Sequence, residues 1–138
     1  MNKQTLFVTL TTAALMCGCQ SSKGRISGRF VGGDAKNIYL EQVLPLTQSV
    51  VDSAALAADG SYRMELTGVA KNPSLYNVIY DGERIPLLIA GGDRVTVSSV
   101  GSIIRNYTVE GSAESELLRQ FYQAFVTGAQ QLENMGMQ

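Results

Sequence analysis

The sequence predicts a mainly β domain: an antiparallel β-sandwich of about seven to eight strands, followed by one C-terminal amphipathic helix. Three observations carry this. Apolar and polar residues alternate with period two through most of residues 25–111. Glycine-containing turn pairs punctuate the alternation every 8–14 residues or so. At Gly111-Ser112 the apolar spacing lengthens to three and four residues and stays there.

The strands follow in order. Ile26, Gly28 and Phe30 alternate with Arg25, Ser27 and Arg29, and Ile38 and Leu40 alternate with Tyr39 and Glu41. Val50-Val51 suggests a strand within residues 43–56, and Pro45 predicts a break ahead of it. Tyr62, Met64 and Leu66 define the next apolar face. Residues 75–80 are apolar on both faces, the mark of a central strand. Ile85, Leu87 and Ile89 form one face of a further strand. Pro86 has no N–H to give a ladder, which places that strand at a sheet edge or at a bulge. Val95 with Val97, and Tyr107 with Val109, complete the set. Asp59-Gly60, Asp81-Gly82 and Gly91-Gly92-Asp93 tolerate positive φ, so each is expected to join its flanking strands as a hairpin. Ser112 is placed to cap a helix, with Glu114 and Glu116 in its electropositive first turn. Leu117, Leu118, Phe121, Tyr122, Phe125, Ala129 and Leu132 then predict an amphipathic helix over residues 113–132, within a C-terminal segment 112–138 that ends frayed. Its apolar stripe either packs on the sandwich or docks on something else.

The start of the chain has a different character. After Lys3, a mostly apolar run from Thr5 to Met16 meets Met16-Cys17-Gly18-Cys19, and Gln20-Ser21-Ser22-Lys23 follow. A basic start, a short apolar core and a small residue ahead of a cysteine read as an export signal over residues 1–18. The apolar core is too short to span a bilayer. The stop resembles the lipobox of bacterial lipoproteins, in which the cysteine is acylated on sulfur and becomes the new N-terminus. Cys19 fits that role because Gly18 before it is small, whereas Cys17 follows the bulky Met16. The alternative is an ordinary cleaved signal that leaves Cys19 a free thiol. Residues 19–24 then form a polar tether. Removing Lys3 with the leader leaves 10 basic against 12 acidic residues, so the mature chain offers no basic patch for nucleic acid. Membrane contact is expected through the lipid, at about 0.8 kcal/mol per buried methylene.

Composition narrows the chemistry. The chain has no histidine and two cysteines, Cys17 and Cys19, both at the signal junction. Ser-His-Asp and Cys-His catalysis and the usual zinc sites are excluded, as is a disulfide framework in the folded part. We expect no enzyme activity, no cofactor and no metal.

Several landmarks resemble the DUF4369 family, a β-domain found at the N-terminus of lipid-anchored, thioredoxin-like thiol:disulfide proteins. They are Val51-Asp52-Ser53, Asp59-Gly60-Ser61-Tyr62, Gly68, Pro73-Ser74-Leu75-Tyr76, residues 87–93 (Leu-Leu-Ile-Ala-Gly-Gly-Asp) and Val109-Glu110-Gly111-Ser112, in that order. The resemblance covers about residues 24–125. It implies a β-domain beside a thioredoxin-like domain that carries a reactive C-x-x-C pair. This sequence has no C-x-x-C, so the oxidoreductase activity does not carry over. The resemblance leaves a non-catalytic, lipid-anchored envelope module, accessory to such an enzyme or truncated from one. The alternative is a stand-alone lipoprotein that binds a glycan, a peptide or an envelope partner through loops of the sandwich. Relatives sent to the cell surface usually carry acids just after the lipid cysteine. Residues 20–23 carry none, so the expected location is the periplasmic face of the outer membrane.

Other motifs are weaker. Asp52-Ser53-Ala54 resembles an O-glycosylation signal of some exported bacterial proteins, with Ser53 as acceptor, against an Asp-Ser pair bonding locally. Asn106-Tyr107-Thr108 fits an N-glycan sequon, but Tyr107 reads as core. Gly32-Gly33-Asp34, Gly91-Gly92-Asp93 and the scattered Asp59 and Asp81 read as turn residues, with a weak calcium rim as the other possibility. Tyr39 is the best outward aromatic for a sugar, and packing under a loop is the preferred reading of it.

Overall fold

In a computed structural model of the chain, residues 23–101 and 106–136 are described. Eight strands appear: β1 (Gly24–Val31), β2 (Asn37–Leu44), β3 (Thr47–Ala55), β4 (Ser61–Leu66), β5 (Ser74–Tyr80), β6 (Glu83–Ile89), β7 (Arg94–Val100) and β8 (Thr108–Glu110), followed by helix α1 (Ala113–Gly136). The strands form two four-stranded sheets, ordered β4-β1-β7-β8 and β3-β2-β5-β6. The fold is mainly β with one C-terminal helix, as the alternation predicts.

The period-two residues face inward and meet between the sheets. Ile26, Ile38, Leu40, Val78, Leu87, Ile89 and Val97 are fully buried. Phe30 stacks between Tyr62 at 5.3 Å and Tyr80 at 4.9 Å, joining one sheet to the other. The Tyr62 hydroxyl donates to the Val97 carbonyl at 2.8 Å, which satisfies its one polar atom inside the core. β5 is central and β6 lies at an edge, where Pro86 stands in register with Asn77 and, like Leu88 two residues on, turns its nitrogen away from β5. Pro45 falls between β2 and β3, where it ends one strand and starts a hairpin.

Four features depart from the expectations. First, β1 and β7 pair in parallel, while the other pairings are antiparallel. Gly28 sits inside that parallel pair, where a Cβ would run into the Val97 carbonyl oxygen. Second, of the three glycine-containing turns only Asp81-Gly82 makes a hairpin, with φ 51° and 79°. Asp59-Gly60 and Gly91-Gly92-Asp93 instead carry the chain from one sheet to the other. The backbone shows why. Leu56 N–H stays with the Lys36 carbonyl on the β2 side, whereas Phe30 N–H takes the Gly60 carbonyl and draws the exit toward β1. In the same way Gly92 N–H donates to Lys23 and Arg25 N–H to Asp93, handing β7 to β1. Third, Gly24, assigned to the tether by sequence, already belongs to β1. Fourth, α1 continues through Asn134 to Gly136 where a frayed end was expected; the residues from Ala129 to Met135 include no helix breaker.

The helix closes the open side between the sheets, contacting the edge strands β6 and β8. Ser112 is its N-cap: its hydroxyl accepts from Ser115 N–H at 3.1 Å, and its carbonyl takes Glu116 N–H. Both serines also reach the exposed edge of β6. Leu88 N–H donates to Ser115 Oγ at 2.9 Å, and the Leu88 carbonyl accepts from Ser115 at 2.8 Å and from Ser112 at 3.0 Å. An edge strand that would show bare backbone to solvent is thereby capped by side chains.

Candidate functional site

The molecule offers two ends. The β1 start, the Thr67–Pro73 connection, the Gly91–Asp93 turn and the start of α1 lie at one end, the tether end, named for the tether expected ahead of β1. The Gly32–Lys36 and Leu56–Gly60 loops and the Asp81-Gly82 turn lie at the other.

Cys17 and Cys19 lie outside the described residues. Ser53 is exposed on β3, an edge strand, opposite Tyr39. Its backbone N–H donates to Asp52 Oδ1 at 2.7 Å, so the local Asp-Ser bond forms while the hydroxyl stays on the surface. Tyr39 is 42% exposed on the outer face of its sheet rather than packed under a loop. The strand pleat decides this: Ile38 and Leu40 take the inner positions, which leaves Tyr39 outside.

Of the acids read as turn residues, Asp59, Asp81 and Asp93 do that work. Asp59 Oδ1 accepts from Ser61 N–H at 3.0 Å and from Ser61 Oγ at 2.6 Å, and these bonds hold its carboxyl below the usual range. Asp93 Oδ2 accepts from Ala90 N–H at 2.9 Å. Asp93 belongs to the tether end, whereas Asp34, Asp59 and Asp81 lie at the other, so the four acids do not share a rim. Among the described residues no group of three or more His, Cys, Asp or Glu side chains is placed to hold a metal ion.

The far end holds an open cleft of about 330 Å³, whose walls include Arg29, Gly33, Lys36, Ala57, Asp59 and Tyr80. Arg29 Nε donates to the Asp59 carbonyl at 2.6 Å, fixing one wall. A second cleft of about 330 Å³ at the tether end lies along the Arg25–Glu65 ion pair at 2.9 Å. Each is a polar, solvent-open hollow.

Two features escaped sequence reading. Glu41 sits on the outer face of its sheet yet is only 6% exposed. Asn77 Nδ2 donates to it at 2.9 Å and Arg84 Nε at 3.3 Å. The Asn77 amide, and after it the Arg84 guanidinium, hold its carboxyl below the usual range. No signal in the alternation distinguishes it from any outward acid, because its partners come from two other strands. The other feature is the split of the helix stripe. Leu118 and Tyr122 turn toward the sandwich, whereas Leu117, Phe121, Phe125, Leu132 and Met135 are 65–70% exposed.

No family model matches the chain, and no curated protein does. Among solved structures, a candidate cell adhesion protein from Bacteroides ovatus aligns at 11% identity with a TM-score of 0.36, over 67% of this chain and 44% of that one.

Proposed function

We propose that the chain is a non-catalytic, lipid-anchored module of the cell envelope, accessory to a thioredoxin-like thiol:disulfide oxidoreductase or the head of one. The observation that carries the reading is the short distance from the leader to the fold. β1 begins at Gly24, and Cys19 follows an apolar export-type leader. From Cys19 to Gly24 the chain, with four residues between, reaches at most about 18 Å when fully extended. A lipid on Cys19 would therefore hold the tether end of the sandwich against the bilayer and turn the Arg29–Lys36 cleft outward. Anchoring of this kind raises the local concentration of any partner on the same membrane. The residues of the DUF4369-like landmarks support the module reading, since they serve the fold: Asp59-Gly60 and Gly91–Asp93 cross between sheets, and Ser112 caps the helix.

The proposed location is the outer membrane, facing the periplasm, and Ser53 is the proposed O-glycan acceptor because its hydroxyl is exposed on an edge strand. The second reading, a stand-alone lipoprotein that binds a glycan or peptide, rests on the far-end cleft with Arg29 and Lys36 in its wall.

Fractionation tests the anchor. The parent chain should sediment with membranes, and Cys19→Ala should move to the soluble fraction; a variant that stays with membranes would overturn it. Mass spectrometry of the native protein reads acyl chains on Cys19 and a sugar on Ser53 in one experiment, and an unmodified residue ends the proposal for that site.

A further inference from the structure

The outward apolar row of α1 has a regular geometry. At 100° per residue, Phe121, Phe125, Gly128, Leu132 and Met135 fall within an arc of about 80°. Their spacing of four, three, four and three residues is the heptad alternation that forms a seam between two helices. The four large side chains are 65–70% exposed, and Gly128 leaves open space in the middle of the row. The first turns of α1 are held on β6 by Ser112 and Ser115, and Arg119 and Tyr122 lie beside Tyr107. Beyond Val126, residues 127–136 contain no buried position. The row thus continues onto a part of the helix that the sandwich does not cover.

We propose that this row is covered by the same row of a second copy of the chain, packed antiparallel about Gly128. Three observations select that occupant. The row is close to self-complementary: with Gly128 facing Gly128, Phe121 comes opposite Met135, and Phe125 comes opposite Gln131, one residue from Leu132. A two-fold contact requires this, since each residue must meet the partner of its partner. Large side chains then lie at both ends, and the bare glycine lets the helices approach at the crossing. Charge agrees. The helix carries Glu114, Glu116, Arg119 and Glu133, none of which lies in the row from Phe121 to Met135, and Arg119 is committed to Glu116 at 2.6 Å. A seam without charge opposes no second copy, whereas a helix with one paired cation is a poor match for an anionic lipid surface. Area agrees as well. The exposed parts of these side chains and their flanks sum to about 600 Å² per copy, or about 1,200 Å² for the pair, which reaches the range of specific interfaces. The pairing does not depend on whether Cys19 carries a lipid.

Disulfide trapping in intact envelopes of cells making the full chain tests it. Gly128→Cys should give an oxidant-dependent dimer of this chain. Phe121→Cys and Met135→Cys should cross-link when co-expressed with different tags and not when expressed singly. Adding Phe125→Glu to Gly128→Cys should lower the trapped fraction by more than about tenfold, while far-UV circular dichroism stays unchanged because Phe125 is largely exposed. The proposal is overturned if the Gly128→Cys variant stays monomeric and its introduced thiol reacts freely with a soluble maleimide. It is also overturned if Phe121→Cys traps with itself as readily as with Met135→Cys, which is parallel packing. Two further results overturn it: a cross-link from the introduced thiol to a different envelope protein, and a monomeric Gly128→Cys variant whose thiol is shielded by lipid. Both native cysteines precede residue 20. A cross-link in the parent chain would therefore count against acylation of Cys19 and leave the helix pairing to be read from the difference.

Discussion

Replacing Ser115 with alanine isolates the bond between the helix and the sandwich. Ser115 is fully buried, and its hydroxyl serves Leu88 twice: it accepts from the Leu88 N–H at 2.9 Å and donates to the carbonyl at 2.8 Å. Removing the hydroxyl leaves the two backbone groups in different positions. The carbonyl keeps Ser112 Oγ at 3.0 Å, whereas no other bond to the N–H is seen among the described residues. An orphaned buried donor costs about 1–3 kcal/mol, and the bonds lost with it add about 1 kcal/mol, for a total of about 3 kcal/mol. Ser112→Ala removes the helix cap but leaves both Leu88 groups with Ser115, so its cost is about 1 kcal/mol. In urea, with a slope of about 1.5 kcal/mol/M, Ser115→Ala should lower the unfolding midpoint by about 2 M and Ser112→Ala by less than half as much. Amide exchange at Leu88 should accelerate in Ser115→Ala and hardly change in Ser112→Ala. Equal midpoint shifts for the two variants, or a Ser115→Ala shift within error of zero, would refute the account of how α1 is fastened.

Two further perturbations follow from the geometry. Gly28→Ala drives a methyl into the Val97 carbonyl and must separate β1 from β7, at a cost of about 3 kcal/mol or more. A thermal melt should fall by more than about 10 °C, and an unchanged melt would mean that the parallel pair is looser than described. Acid should weaken the fold through Glu116, whose carboxyl is pulled from its ordinary value of 4.5 to about 2, first by Arg119 and then by Gln120. A depressed folded value means that the unfolded state binds the proton first, so this stability is present above about pH 4.5 and is lost as pH falls toward about 2. Circular dichroism during acid titration should show a shallower decline for Glu116→Gln, and an identical slope would exclude the pair as its cause.

Much of the fold was legible in the sequence because the pleat imposes a period of two wherever one face is buried. Ile38-Leu40, Tyr62-Met64-Leu66 and Ile85-Leu87-Ile89 all read correctly, and Pro86 identified its own edge strand. What turn chemistry cannot carry is the identity of the sheet that receives the outgoing strand. Asp59-Gly60 and Asp81-Gly82 look alike, yet one crosses between sheets and the other closes a hairpin. The difference lies in distant acceptors and donors such as Phe30 N–H. β3 gave a faint signal because nearly all of it is exposed, so no burial pattern is written into it. The helix was read as one stripe because both of its apolar faces share the same residue types. Only the positions of β6 and β8 separate the face that packs from the face that looks outward.

The parallel β1–β7 pair joins residues 69 positions apart, Arg25 with Arg94 and Phe30 with Ser99. A chain made from its N-terminus delivers β1 first, but one flank of that strand must wait until Arg94 has been made. Through that interval β1 can zip only to β4, with the backbone edge meant for β7 left open. The earliest strand made is thus among the last to be flanked on both sides.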